Sequence, residues 1–83
     1  MFFELAHEDQ IQGAKQDLIR KWNGLKTKDL IAEIKLVNEE FGATMKIGNS
    51  NESSARPRQR LLKWLNTKSV RSTADVEDLR SLL

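Results

Sequence analysis

Arg56, Arg58, Arg60, Lys63, Lys68 and Arg71 fall within sixteen consecutive residues that contain no Asp or Glu. The whole chain carries a formal charge of +2, so this stretch, at +6, is more basic than the molecule, and the other sixty-seven residues sum to −4. Charge segregated in this way sets up a local positive field that draws polyanions or acidic protein faces. The chemistry these side chains can do is phosphate contact: cations neutralise backbone charge and release counterions. Arginine adds a planar fork of donors that matches phosphate oxygens or base edges. Trp64 lies inside the same stretch, where an indole can stack on a base or anchor a protein contact.

Other readings of the stretch stay open. A basic helix face can be solvated and do nothing more. It can steer the chain onto an acidic protein surface. Docking on a membrane surface is disfavoured, because Leu61, Leu62, Trp64 and Leu65 would then face lipid and be lost to the core. The expectation is a small non-enzymatic nucleic-acid-binding protein, DNA before RNA, of regulatory or accessory kind. The alternative is a protein-interaction module, an inhibitor or adaptor of the sort phage and mobile elements encode, that uses the same face on an acidic partner.

Catalytic and metal chemistry find little to work with. His7 is the single histidine and there is no cysteine. His7, Glu8 and Asp9 are consecutive at a helix start, so their side chains diverge instead of converging on an ion. The chain has no nucleophile motif and no glycine-rich phosphate loop. No enzyme activity, metal or cofactor is expected. The absence of cysteine and of a basic, apolar leader at Met1–Asp9 suits a cytoplasmic protein, and no apolar run reaches the length of a membrane span.

The elements that position the basic stretch can be read from periodicity. At 83 residues, 31% charged and 39% hydrophobic, the chain suits one folded domain. Ile11, Ala14, Leu18, Ile19 and Trp22 form one stripe on a helix from about Glu8 to Trp22. Gly13 within it is expected to mark a close helix approach, and Asn23-Gly24 to end it in a left-handed cap or turn. Thr27 is the expected N-cap of a second helix. Leu30, Ile31, Ile34, Val37 and Phe41 form the apolar face of that helix, Leu36 lies off it, and Gly42 terminates it. Residues 43–55 form a long polar loop, expected to be mobile.

Pro57 suits the first turn of a third helix, to about Asn66 or Thr67. Leu61, Leu62, Trp64 and Leu65 cover one side of it, and Arg56, Arg60, Lys63 and Thr67 project from the other. Ser72 or Thr73 caps a final helix carrying Val76, Leu79, Leu82 and Leu83. The fold class is all-α, three to four helices. A homodimer stays open, with Phe2, Phe3, Leu36, Leu79, Leu82 and Leu83 as apolar surface.

A helix-turn-helix is not expected. The gap between the second and third helices is too long for its tight turn, and Lys28, Glu33, Lys35, Glu39 and Glu40 make the second helix a poor groove reader. Leu25-Lys26-Thr27-Lys28-Asp29-Leu30-Ile31-Ala32-Glu33-Ile34 resembles the first helix of a SAP-type DNA-binding motif. Arg58-Gln59-Arg60-Leu61-Leu62-Lys63-Trp64-Leu65 is similar to its second helix. The intervening segment is much longer than that family's linker and its linker glycine has no aligned counterpart, so the resemblance is not counted as membership.

Overall fold

The computed structural model describes residues 4–83, which fold into four helices: α1 (Glu8–Asn23), α2 (Thr27–Phe41), α3 (Ala55–Thr67) and α4 (Thr73–Arg80). The fold is all-α, as the apolar periodicity requires. Each helix buries the centre of its apolar stripe: Ala14, Leu18 and Trp22 on α1; Leu30, Ile34 and Val37 on α2; Leu61 and Leu65, joined by Pro57, on α3; Val76 and Leu79 on α4, while Ile11, Ile19, Ile31, Phe41, Leu62 and Trp64 are half-buried and Leu83 is exposed. The buried side chains meet in a single core. α3 packs on α2 and on α1, and α4 packs on α1, so α3 has helical neighbours on two sides.

The ends of the helices show how local chemistry sets the boundaries. At α4, Ser72 Oγ accepts from the Asp75 N–H at 3.1 Å, and Asp75 Oδ2 accepts from the Ser72 N–H at 3.1 Å and the Arg71 N–H at 3.0 Å. This reciprocal cap satisfies donors that a helix start leaves orphaned. α2 ends at Gly42 with φ 65°, the left-handed conformation that glycine adopts without a Cβ penalty. The left-handed ending expected at Gly24 is absent: its φ is −91°, and the turn closes instead through its N–H to the Lys21 carbonyl. Lys26, not Thr27, is the N-cap of α2, and the Thr27 hydroxyl donates to the Glu52 carbonyl at 3.3 Å. The approach at Gly13 is made by a side chain: a Cβ there would meet Arg80 Nη2 at 3.7 Å, an ordinary contact that does not demand glycine.

Three further expectations need correction. The loop between α2 and α3 is tied down at several points. The Asn38 side chain accepts from the Met45 N–H and donates to the Met45 carbonyl, both at 3.0 Å, so one amide pairs with the backbone as a neighbouring strand would. Glu33 does not belong to an open outer face: its Oε1 accepts from Trp22 Nε1 and pairs with Lys21 Nζ, each at 3.0 Å. Leu79 and Leu82 are core residues, with 0% and 3% exposure, and supply no surface to a two-fold interface. Leu36 and Leu83 are exposed, and Phe2 and Phe3 lie outside the described residues. Near the other end of the chain, Ala6 N–H donates to the Arg71 carbonyl and Thr73 N–H to the Glu4 carbonyl, which sets residues 4–6 beside 71–73.

Leu61 is fully buried where α3 meets its neighbours. Leu61→Ala should cost about 2–5 kcal/mol, through lost transfer energy and the cavity left behind. Urea denaturation followed by far-ultraviolet circular dichroism would measure it.

Candidate nucleic-acid interface

The stripe on α3 is arranged by burial. Pro57, Leu61 and Leu65 recur every fourth residue and point into the core, which leaves Arg56, Gln59 and Lys63 on the opposite, exposed side. The six cations of the basic stretch then separate into different roles. Arg58 turns inward, where its Nε donates to the Trp22 carbonyl at 3.2 Å and its Nη2 to the Leu25 carbonyl at 3.0 Å. A cation there satisfies carbonyls at the C-terminal end of α1 and opposes the negative end of its dipole. Arg60 forms a two-pronged pair with Glu52, Nη1 to Oε2 at 2.9 Å and Nη2 to Oε1 at 3.0 Å. The Lys68 ammonium lies 5.1 Å from the Phe41 ring centre and 6.0 Å from that of Trp64, so aromatic faces hold it.

Arg56, Lys63 and Arg71 are exposed, and none forms an ion pair among the described residues. Arg56, Gln59, Arg60 and Lys63 line a shallow cleft of about 380 Å³. Arg60 and Lys63 continue into a groove of about 560 Å³ between α3 and residues 42–46, whose walls include Lys46, Trp64 and Thr67. Lys63 also borders a third groove, about 590 Å³, between α1 and α3, with Lys15, Ile19 and Leu62 among its walls. Trp64 is half-buried and meets Phe41 edge to face, with ring centres 5.1 Å apart and planes at 75°. It is a wall of the groove and a packed side chain at once. Arg58 and Arg71 line none of these grooves.

The structure therefore brings together Arg56, Arg60, Lys63 and Trp64, with Lys68 against the indole. It half-buries Arg58 against the end of α1 and sets Arg71 apart. It also adds two residues that sequence reasoning missed, Lys46 and Glu52. Nothing in the local pattern marks Lys46. Its place follows from the Asn38 pairing with Met45, which fixes the path of the chain alongside α3. The Glu52 carboxyl is held below the ordinary carboxylate range, first by the hydrogen bond from Arg60, against the opposing effect of burial, and then by the charges of Arg60, Lys46 and Arg56. Asp75 is likewise lowered, chiefly by the backbone donors of Arg71 and Ser72.

Among the described residues no group of three or more His, Asp or Glu side chains is placed to hold a metal, and no helix is long and apolar enough to cross a membrane. His7 is exposed at the N-cap of α1. No protein-family model, curated protein or solved structure matches this chain. The local SAP-like pattern thus stands without support from any family match.

Arg58→Met should lower stability by about 1–2 kcal/mol by removing both hydrogen bonds and leaving the Leu25 carbonyl without its donor, while the Trp22 carbonyl keeps the Leu25 N–H. Lys63→Met, at an exposed and unpaired site, should stay within about 0.5 kcal/mol of wild type. Paired urea titrations would separate the structural cation from the free one. Because the carboxyls of Glu52 and Asp75 are depressed in the folded state, their contribution is complete above the usual carboxylate range of about 4 and is lost as pH falls through their folded values. The stability of the double variant Glu52→Gln/Asp75→Asn should accordingly fall less than that of wild type between neutral pH and about pH 2.5, as urea midpoints across that range would show.

Proposed function

We propose that the chain is a small nucleic-acid-binding protein of accessory or regulatory kind, with DNA as the first polymer to test, docking through the exposed side of α3 and the facing segment 42–46. The observation that carries this is the position of Lys63, shared by adjoining grooves whose other cations are Arg56, Arg60 and Lys46 and whose wall includes an indole. Lysines and arginines on two separate segments give a backbone two lines of contact. The aromatic wall offers a surface on which an unpaired base could stack. Arg56, Lys63 and Lys46 are the phosphate contacts, Trp64 the base-facing surface, and Lys68 keeps positive charge beside the ring. Arg71 reaches the polymer only if it runs beyond the groove, and Arg58 takes no part.

A second reading draws on the groove between α1 and α3. Ile19, Leu62 and Leu65 line it, with Lys15 and Lys63 at its edge. Apolar walls rimmed by cations suit an acidic amphipathic partner, where charge sets the on-rate and an apolar anchor sets residence.

Fluorescence anisotropy of labelled duplex DNA, single-stranded DNA and RNA separates the two. Nucleic-acid binding predicts a log–log salt slope of roughly −0.9 per phosphate neutralised on duplex, so roughly −2 to −3 for three free cations. Arg56→Glu/Lys63→Glu should abolish binding with helicity unchanged. No binding to any of the three polymers at low salt would sink this reading and leave the acidic-partner one.

A further inference from the structure

Among the described residues Glu52 is the carboxylate paired with a cation of the groove region, and its placement is built from several sides. Its backbone is held by Thr27 Oγ1 at the carbonyl and by the Asn49 carbonyl at the N–H. Its side chain and that of Arg60 retain only 15% and 20% exposure, and the carboxylate meets the guanidinium through both oxygens. The pair lies against Gly48, which has φ 74°. A Cβ at that position would fall 2.6 Å from Glu52 Oε2 and 2.8 Å from Arg60 Nη1, so no side chain fits there without moving the pair. Lys46 shares one groove with Arg60 and Arg56 shares the adjoining cleft with it, and the charge of both acts on the same carboxylate.

Two oxygens on the fork of an arginine, with further cations beside them, is also the arrangement by which a protein holds phosphate. We propose that Arg60, with Lys46 and Arg56 beside it, is a phosphate subsite, and that Glu52 is its built-in competitor. In the free protein Glu52 occupies the guanidinium. A nucleic-acid phosphate arriving along the groove displaces the carboxylate and takes the same fork. This rests on the nucleic-acid reading above and adds to it a residue that sets affinity by competing with the ligand. It accounts for an acid in the one region where phosphate affinity would favour none.

The test compares wild type with Glu52→Gln and with Glu40→Gln, which makes the same charge change at an exposed position on α2. A fluorescein-labelled DNA duplex is the probe. Freeing Arg60 should raise affinity roughly tenfold, the scale of one charge-assisted contact. The salt slope should stay close to that of wild type, because once Glu52 has moved aside the same fork neutralises the same phosphate in both proteins. Glu40→Gln should change affinity by less than about twofold, as an exposed charge in no ion pair does when screened by solvent and salt. If Glu52→Gln binds no more tightly than Glu40→Gln, Glu52 is a brace for the loop, and the subsite is overturned while the nucleic-acid reading stands. If neither wild type nor Glu52→Gln binds the duplex, the nucleic-acid reading fails and takes the subsite with it.

A direct measurement on wild type covers the case in which the substitution disturbs folding. Carbon NMR of the Glu52 carboxyl and the Arg60 guanidinium is followed as the duplex is added. Shifts of both in step with binding support displacement. Saturation of the duplex with neither resonance moving overturns it.

Discussion

Packing α3 against both α2 and α1 is the constraint from which the surface chemistry follows. A helix with neighbours on two sides must give them its apolar residues, and Pro57, Leu61 and Leu65 meet that demand at four-residue intervals. The polar residues between them are then confined to the remaining side. Arg56, Gln59 and Lys63 are gathered there by the same periodicity that builds the core. The positive strip and the hydrophobic centre are thus two faces of one pattern. Shifting α3 in register would disturb both.

Polar side chains bind this framework together at its seams, where helices end. Arg58 closes the C-terminal end of α1 from a distant segment, and Glu33 gathers Trp22 and Lys21 while the Lys21 ammonium also donates to the Leu82 carbonyl at 2.6 Å. Among the described residues no buried side-chain nitrogen or oxygen lacks a hydrogen-bond partner. A core of modest size gains specificity from such contacts, because each names one partner where apolar packing tolerates several. The loop from 42 to 54 is drawn into the same scheme by Asn38, Thr27 and Arg60, so a segment rich in Gly, Asn and Ser acquires a defined path.

The helices, their order and nearly all core positions were legible because amphipathic spacing and end signals agree. Leu30, Ile34 and Val37 declare a buried face whatever they pack against. The roles of individual charges were not legible. Periodicity sets Arg56 and Arg60 together on the outer side and Arg58 off it, yet Arg60 is drawn to Glu52 while Arg56 stays in water, and Arg58 finds carbonyls at the end of α1. Which arginine meets a carbonyl and which meets Glu52 depends on contacts across 36 and 8 positions, and local pattern holds no record of those. Leu82 belongs to the apolar side of the last helix, and spacing alone leaves open whether it packs on the bundle or meets a partner; tertiary packing buries it. Lys46 and Glu52 escaped notice for the same reason: the path of an irregular segment is set by single hydrogen bonds, not by periodicity.

The two tryptophans differ in a way that has spectroscopic use. Trp22 is wholly enclosed, with its indole N–H bonded to Glu33, while Trp64 borders the groove beside Phe41 and Lys68. With no tyrosine in the chain, intrinsic emission arises from these two rings almost alone. One indole is screened from solvent and sits in the core, and the other is half-buried in the wall of the groove. The protein therefore carries its own pair of optical probes, one reporting whether the core is intact and the other what happens in the groove. Soluble quenchers that reach only the outer ring can tell their signals apart.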